Sequence, residues 1–156
     1  MKRLIQIYDM QKELDEKTFK KYHLSDKEDL KNKKILGLIV EISELANKTQ
    51  SFKYWSTKLP GTKEQLLEEY SDGLHFILSL CLDLEVDLND KFNKIDELED
   101  LSMLFLKVIN KTIDLQENFN KTNLKEVLNY YIYLGECLGF SEGDIIEGYI
   151  KKNKIN

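Results

Sequence analysis

The chain has 156 residues, 42% hydrophobic and 33% charged, which suits one domain around a single core and is short for two. Its formal net charge of −5 excludes a sequence-independent nucleic-acid binder, because such a protein needs a basic stripe along the phosphates. The longest apolar stretch, around "LHFILSLCLDL", is too short to span a bilayer, and "MKRLIQIYDMQKELDEK" turns charged too early for a secretory leader, so a cytoplasmic protein is expected.

One proline and seven glycines interrupt little, and strand-like alternation is absent, so the expected fold class is all-α, a bundle of about six helices over residues 1–156. A first helix is predicted over 2–21. Ser25 and Glu28 form a cap signal ahead of "KKILGLIVEISELANKT", a second helix ending near Thr49. The segment "QSFKYWSTKLPG" breaks the helical period, and a Thr62/Gln65 capping box starts a third helix that runs to about residue 84. After the charged "EVDLNDKFNKIDELED", a fourth helix is predicted at roughly 95–117 and a fifth at 123–138, stopped by Gly139. A Ser141/Asp144 cap signal begins a sixth, which runs to Asn156. Cys81 and Cys137 both fall in apolar helical patterns and read as reduced core residues.

Two acid pairs stand out. Glu41 and Glu44 lie three residues apart beside the apolar stripe Leu38, Ile42, Leu45 and Ala46, so they share a face of the second helix. Glu69 and Asp72 repeat the spacing on the third helix, just ahead of a run from Leu74 to Leu82 whose only polar members are His75 and Ser79. Each pair alone is what a solvated helix face carries. Four acids on two partly buried helices instead repel one another and need protonation or a cation, and a hard divalent ion with oxygen ligands such as Mg²⁺ meets that need. A di-iron carboxylate site is the weaker reading, because neither His23 nor His75 follows a glutamate three residues on, although His75 does follow Asp72 at that spacing. His75 reads as a packing or supporting residue rather than a ligand.

The first helix carries Gln11, Asp15 and Thr18 in the middle of the stripe made by Leu4, Ile7, Tyr8 and Leu14. Polar groups placed toward a core need partners. These are either residues of another helix or a ligand, for which a glutamine amide can match a base edge with both a donor and an acceptor. Trp55, the only tryptophan, is a packing anchor or closes such a pocket.

The segments "MQKELD" (10–15), "EISELAN" (41–47), "FKYWS" (52–56), "EEYSDGLHFIL" (68–78) and "YIKKNKIN" (149–156) together resemble the all-α dimeric dUTPases, relatives of the MazG-like nucleoside triphosphate pyrophosphohydrolases. The resemblance implies a homodimer that hydrolyses dUTP, and also dUDP, to dUMP, releasing pyrophosphate from dUTP, with Glu41, Glu44, Glu69 and Asp72 as Mg²⁺ ligands. It implies that Glu41 or Glu44 activates the water, that Gln11, Asp15 and Trp55 serve the uracil, and that Lys53, Lys152, Asn153 and Asn156 lie toward the phosphates. Two departures are visible. Asp15 stands where the family commonly has asparagine, and the motif opened by Tyr149, Lys152, Asn153 and Asn156 continues in the family into an arginine-containing stretch that this sequence does not contain. The rival expectations are a related pyrophosphohydrolase acting on dCTP or several nucleotides, and a helical interaction protein of the same fold with little turnover.

Overall fold

The computed structural model describes residues 3–24, 27–89, 95 and 100–155. Six α-helices are found among them, α1 (Leu4–Lys21), α2 (Lys27–Thr49), α3 (Lys63–Asp83), α4 (Leu101–Asp114), α5 (Lys121–Cys137) and α6 (Glu142–Ile155), and no strand. The all-α expectation holds.

Local chemistry accounts for the starts of α3, α4, α5 and α6 and for the end of α5. Thr62 Oγ1 accepts from Gln65 N at 3.2 Å while Gln65 Oε1 accepts from Thr62 N at 3.0 Å, the reciprocal box anticipated for α3. Ser141 and Asp144 do the same at the start of α6, at 3.1 and 2.9 Å. Helix α5 begins two residues earlier than expected because Asn120 Oδ1 caps it by accepting from Asn123 N at 2.9 Å. Helix α4 begins only at Leu101, where Asp100 Oδ1 accepts from Met103 N. The Ser25 cap and most of 95–99 lie outside the described residues. Gly139, at φ +89°, ends α5 with Phe140 N donating to Gly135 O and Gly139 N to Glu136 O, a Schellman arrangement.

Helix α3 is the axis of the bundle and packs against α1, α2, α5 and α6. Its side chains from Leu74 through Cys81 are buried apart from the half-buried Phe76, which is why that segment reads apolar on nearly every side. Against α5 it is held by a clasp of two buried tyrosines. The rings of Tyr70 and Tyr131 stack at 4.4 Å, Tyr70 Oη donates to Tyr131 O at 2.9 Å, and Tyr131 Oη donates to Tyr70 O. Each ring lies over a glycine of the opposite helix, and a Cβ on Gly135 would stand 2.7 Å from Tyr70 Oη. The clasp fixes how α3 sits on α5, and Glu69 and Asp72, about a quarter-turn around α3 from Tyr70 and Gly73, face Glu41 of α2.

Two expectations are corrected. Cys81 is buried, but Cys137 is exposed, because it is the last residue of α5 and its side chain falls beyond the packed part of that helix. On α1 only Leu4, Ile7 and Gln11 are buried, and Thr18 is exposed, because the second half of the helix leaves the core. No helix among the described residues is long and apolar enough to cross a membrane.

Candidate metal centre and nucleotide site

Helices α2 and α3 form an antiparallel hairpin whose register is fixed at several levels. Lys34 Nζ meets Asp83 Oδ2 at 2.8 Å, a Cβ on Gly37 would stand 2.6 Å from Phe76 Cζ, and Gly61 N donates to Lys48 O at 2.8 Å. Between these ties the two acid pairs come face to face. Glu41, Glu69 and Asp72, all half-buried, each offer an oxygen within 4.8 Å of the others. Glu44 lies on the exposed rim, where its charge helps to raise both Glu41 and Glu69.

The electrostatics follow from burial and like charge. Glu41 is pushed up to about 7, first by loss of hydration and then by Asp72 and Glu44. Glu69 is raised by burial and by Glu44, and Asp72 is raised by burial although Lys152 pulls it back. Lys152, on α6, sets Nζ 3.1 Å from Asp72 Oδ1 and 3.4 Å from Glu68 Oε1. Among the described residues no such cation is paired with Glu41, whose Oε2 is buried without a hydrogen-bond partner. A crowded set of hard oxygen donors with one acceptor unfilled fits a divalent cation of the Mg²⁺ type.

A second cluster runs beside the first, through α1, α3 and α6. Gln11 is only 3% exposed, and its amide is engaged on both sides. Nε2 donates to Asp15 Oδ1 at 2.8 Å, while Oε1 accepts from Tyr149 Oη at 2.7 Å and lies 2.8 Å from His75 Nδ1. Ser79 Oγ donates to Asp15 Oδ2 at 2.7 Å, and the rings of His75 and Tyr149 stack at 4.2 Å. His75 follows Asp72 by one turn and Tyr149 precedes Lys152 by one turn, so the two clusters share walls. Both alternatives for Gln11 thus meet in one residue: it has internal partners on two other helices, and at most one amide hydrogen remains for a ligand. The sequence flagged His75 and Ser79 as the polar exceptions in an apolar run, which is the signal by which this network could have been found.

The remaining candidates are dispersed. Lys152 joins the acids, and Asn153 beside it has a buried Oδ1 without a partner. Asn156 lies outside the described residues. Trp55 is 65% exposed and contacts Tyr54 and Phe52 of its own loop at 5.0 and 6.3 Å between ring centres, while Lys53 Nζ stands 5.9 Å from the Phe52 ring. A cavity of about 600 Å³ opens at the far end of the α1–α3 groove, between Tyr8, Phe19, Leu30 and Leu82, with Asp15 in its wall.

Comparison with known families agrees with this geometry. A family model described as dUTPase matches residues 3–156. No match was found among curated proteins. With that match over nearly the whole length, an all-helical fold and acid pairs facing each other across one helical hairpin, the chain belongs to the all-α dUTPase family, the hydrolases of dUTP.

Proposed function

We propose that this protein converts dUTP to dUMP and pyrophosphate, also accepts dUDP, and works in the cytoplasm as a homodimer with Mg²⁺ held by Glu41, Glu44, Glu69 and Asp72. The observation that carries the reading is the half-buried carboxylate cluster, with Glu41 raised to about 7 and one of its oxygens unpartnered. Bound among these acids, the cation supplies positive charge for the phosphate oxygens.

The chain's own groups divide the remaining work. Glu41 or Glu44 takes a proton from the attacking water, the two acids of the first pair standing beside the place where the phosphates meet the cation. Lys152 adds a fixed positive charge where the phosphates meet the acids, and Asn153 offers a polar contact beside it. Gln11 and Asp15 act at the base end of the groove. Trp55 and Lys53 stand on the exposed loop that follows the first acid pair and close over the bound nucleotide. The homodimer reading draws on exposed apolar side chains, Leu36 and Val40 on α2 and Met103, Leu106 and Ile113 on α4, two helices that pack together.

The test is pyrophosphate release from dUTP, dCTP, dTTP and UTP, each with Mg²⁺ and with EDTA. Selective, Mg²⁺-dependent loss of dUTP is expected. Preference for dCTP, or silence with every nucleotide, sinks the reading.

A further inference from the structure

The hydrogen bonds around Gln11 have a direction, and it ends at a single nitrogen. An ionised carboxylate only accepts, so Asp15, held by Ser79 Oγ on one oxygen at 2.7 Å, draws Nε2 of Gln11 to the other at 2.8 Å. The Gln11 amide cannot then turn over without setting its carbonyl against the carboxylate. Its Oε1 therefore faces Tyr149 and His75, and because it carries no hydrogen, both Tyr149 Oη and His75 Nδ1 must donate to it. A neutral imidazole with hydrogen on Nδ1 has a bare lone pair on Nε2. Nε2 of His75 is buried, has no hydrogen-bond partner among the described residues, and belongs to a residue only 9% exposed. Burial, reinforced by Lys152, pushes His75 down to about 4, so the ring is neutral at physiological pH.

We propose that Asp15 and Ser79 are positioning residues that lock the Gln11 amide and, through it, the tautomer of His75, so that His75 Nε2 is an obligate acceptor for the ring N–H that uracil carries and cytosine lacks. The proposal rests on the dUTP reading of this groove. It gives Gln11 an indirect part in base selection and gives Asp15, which departs from the family's usual asparagine, a purpose of its own. An asparagine can present either a carbonyl or an amide to Gln11, whereas a carboxylate presents only acceptors. A flipped Gln11 would turn His75 into the Nε2–H form, which matches the bare ring nitrogen of cytosine instead.

The direct measurement is ¹⁵N NMR of the imidazole nitrogens at pH 7. The chain has two histidines and the other, His23, is exposed, so His23→Gln leaves one ring to observe. The wild-type ring is expected to carry its proton on Nδ1, and Asp15→Ala to mix or invert the tautomers, with Asp15→Asn between the two. In parallel, the ratio of kcat/KM for dUTP over dCTP is expected to fall about tenfold or more in Asp15→Ala, the scale of one misdirected hydrogen bond. Should Asp15→Ala fail to fold, Ser79→Ala loosens the same lock and is expected to shift both readouts in the same direction. An Nε2–H ring in the wild type overturns the proposal. So does a tautomer and a substrate ratio that Asp15→Ala leaves unchanged while dUTP is still hydrolysed. An Nδ1–H ring that responds to Asp15→Ala in a protein without dUTP turnover supports the lock and overturns the dUTP reading instead.

Discussion

Replacing Glu41 by glutamine should make the metal-free protein more stable while removing its activity. The titration of Glu41 is raised from 4.5 to about 7, by burial first and then by Asp72 and Glu44. A group whose folded value is raised contributes fully below its unfolded value and loses that contribution as pH rises through the folded one, so the cost of Glu41 builds between about 4.5 and about 7. Full conversion of that shift gives about 3 kcal/mol, and solvent screening of a half-buried group reduces it to about 1–2 kcal/mol. At pH 8 in EDTA, Glu41→Gln should therefore raise Tm by about 3–6 °C for a chain of this size. At pH 4.5 the gain should vanish. His75 works in the opposite sense, since a lowered histidine loses stability as pH falls from 6.5 toward about 4. The difference between variant and wild type, rather than either curve alone, therefore isolates Glu41. Added Mg²⁺ should raise Tm of the wild type and do so far less in the variant, whose turnover should fall on the order of 10²–10³. Thermal melts at both pH values, with and without Mg²⁺, make the check. A variant no more stable than wild type at pH 8, or equally favoured at pH 4.5, would refute the claim that Glu41 is held at electrostatic cost for a cation.

Lys152→Met strips Asp72 of its counter-charge and should lower stability at pH 8 by about 1–2 kcal/mol, a loss that shrinks on acidification as Asp72 takes up a proton; melts across pH read it. Gly73→Ala drives a Cβ into the Tyr131 hydroxyl and should cost about 2–3 kcal/mol in urea unfolding, because that rigid, fully buried ring has nowhere to move. Leu106→Lys puts a charge on the apolar face of α4 and should shift the protein toward monomer in sedimentation, with Tm of the monomer little changed because Leu106 is exposed.

Most helix boundaries were legible because they are written in short-range chemistry. The Thr62/Gln65 and Ser141/Asp144 boxes and the Gly139 stop involve residues three or fewer positions apart or a single backbone angle, and the sequence states them outright. The Asn120 cap was equally local, and it was missed only because a lone asparagine in a polar stretch does not stand out. The acid spacing was legible for the same reason, since three residues on a helix always share a face.

What lay beyond the sequence is whatever depends on contacts distant along the chain. Glu41 and Glu44 belong to one pair and have the same side chain, yet packing half-buries Glu41, which is pushed up to about 7, and leaves Glu44 at the rim. Gln11 could be seen as a polar residue on an apolar face, but besides Asp15 its partners are 64 and 138 positions away, and nothing local distinguishes a ligand from a histidine or a tyrosine as the group that satisfies its carbonyl. The pairing of Lys152 with Asp72 and the exposure of Cys137 were out of reach for the same reason. By itself the sequence determined the helices, their caps and which chemistry each face could offer, because those follow from backbone period and neighbouring side chains. The tertiary structure alone decided which acids lose their water and which way the Gln11 amide points, because burial and the direction of a hydrogen bond exist only once distant helices have met.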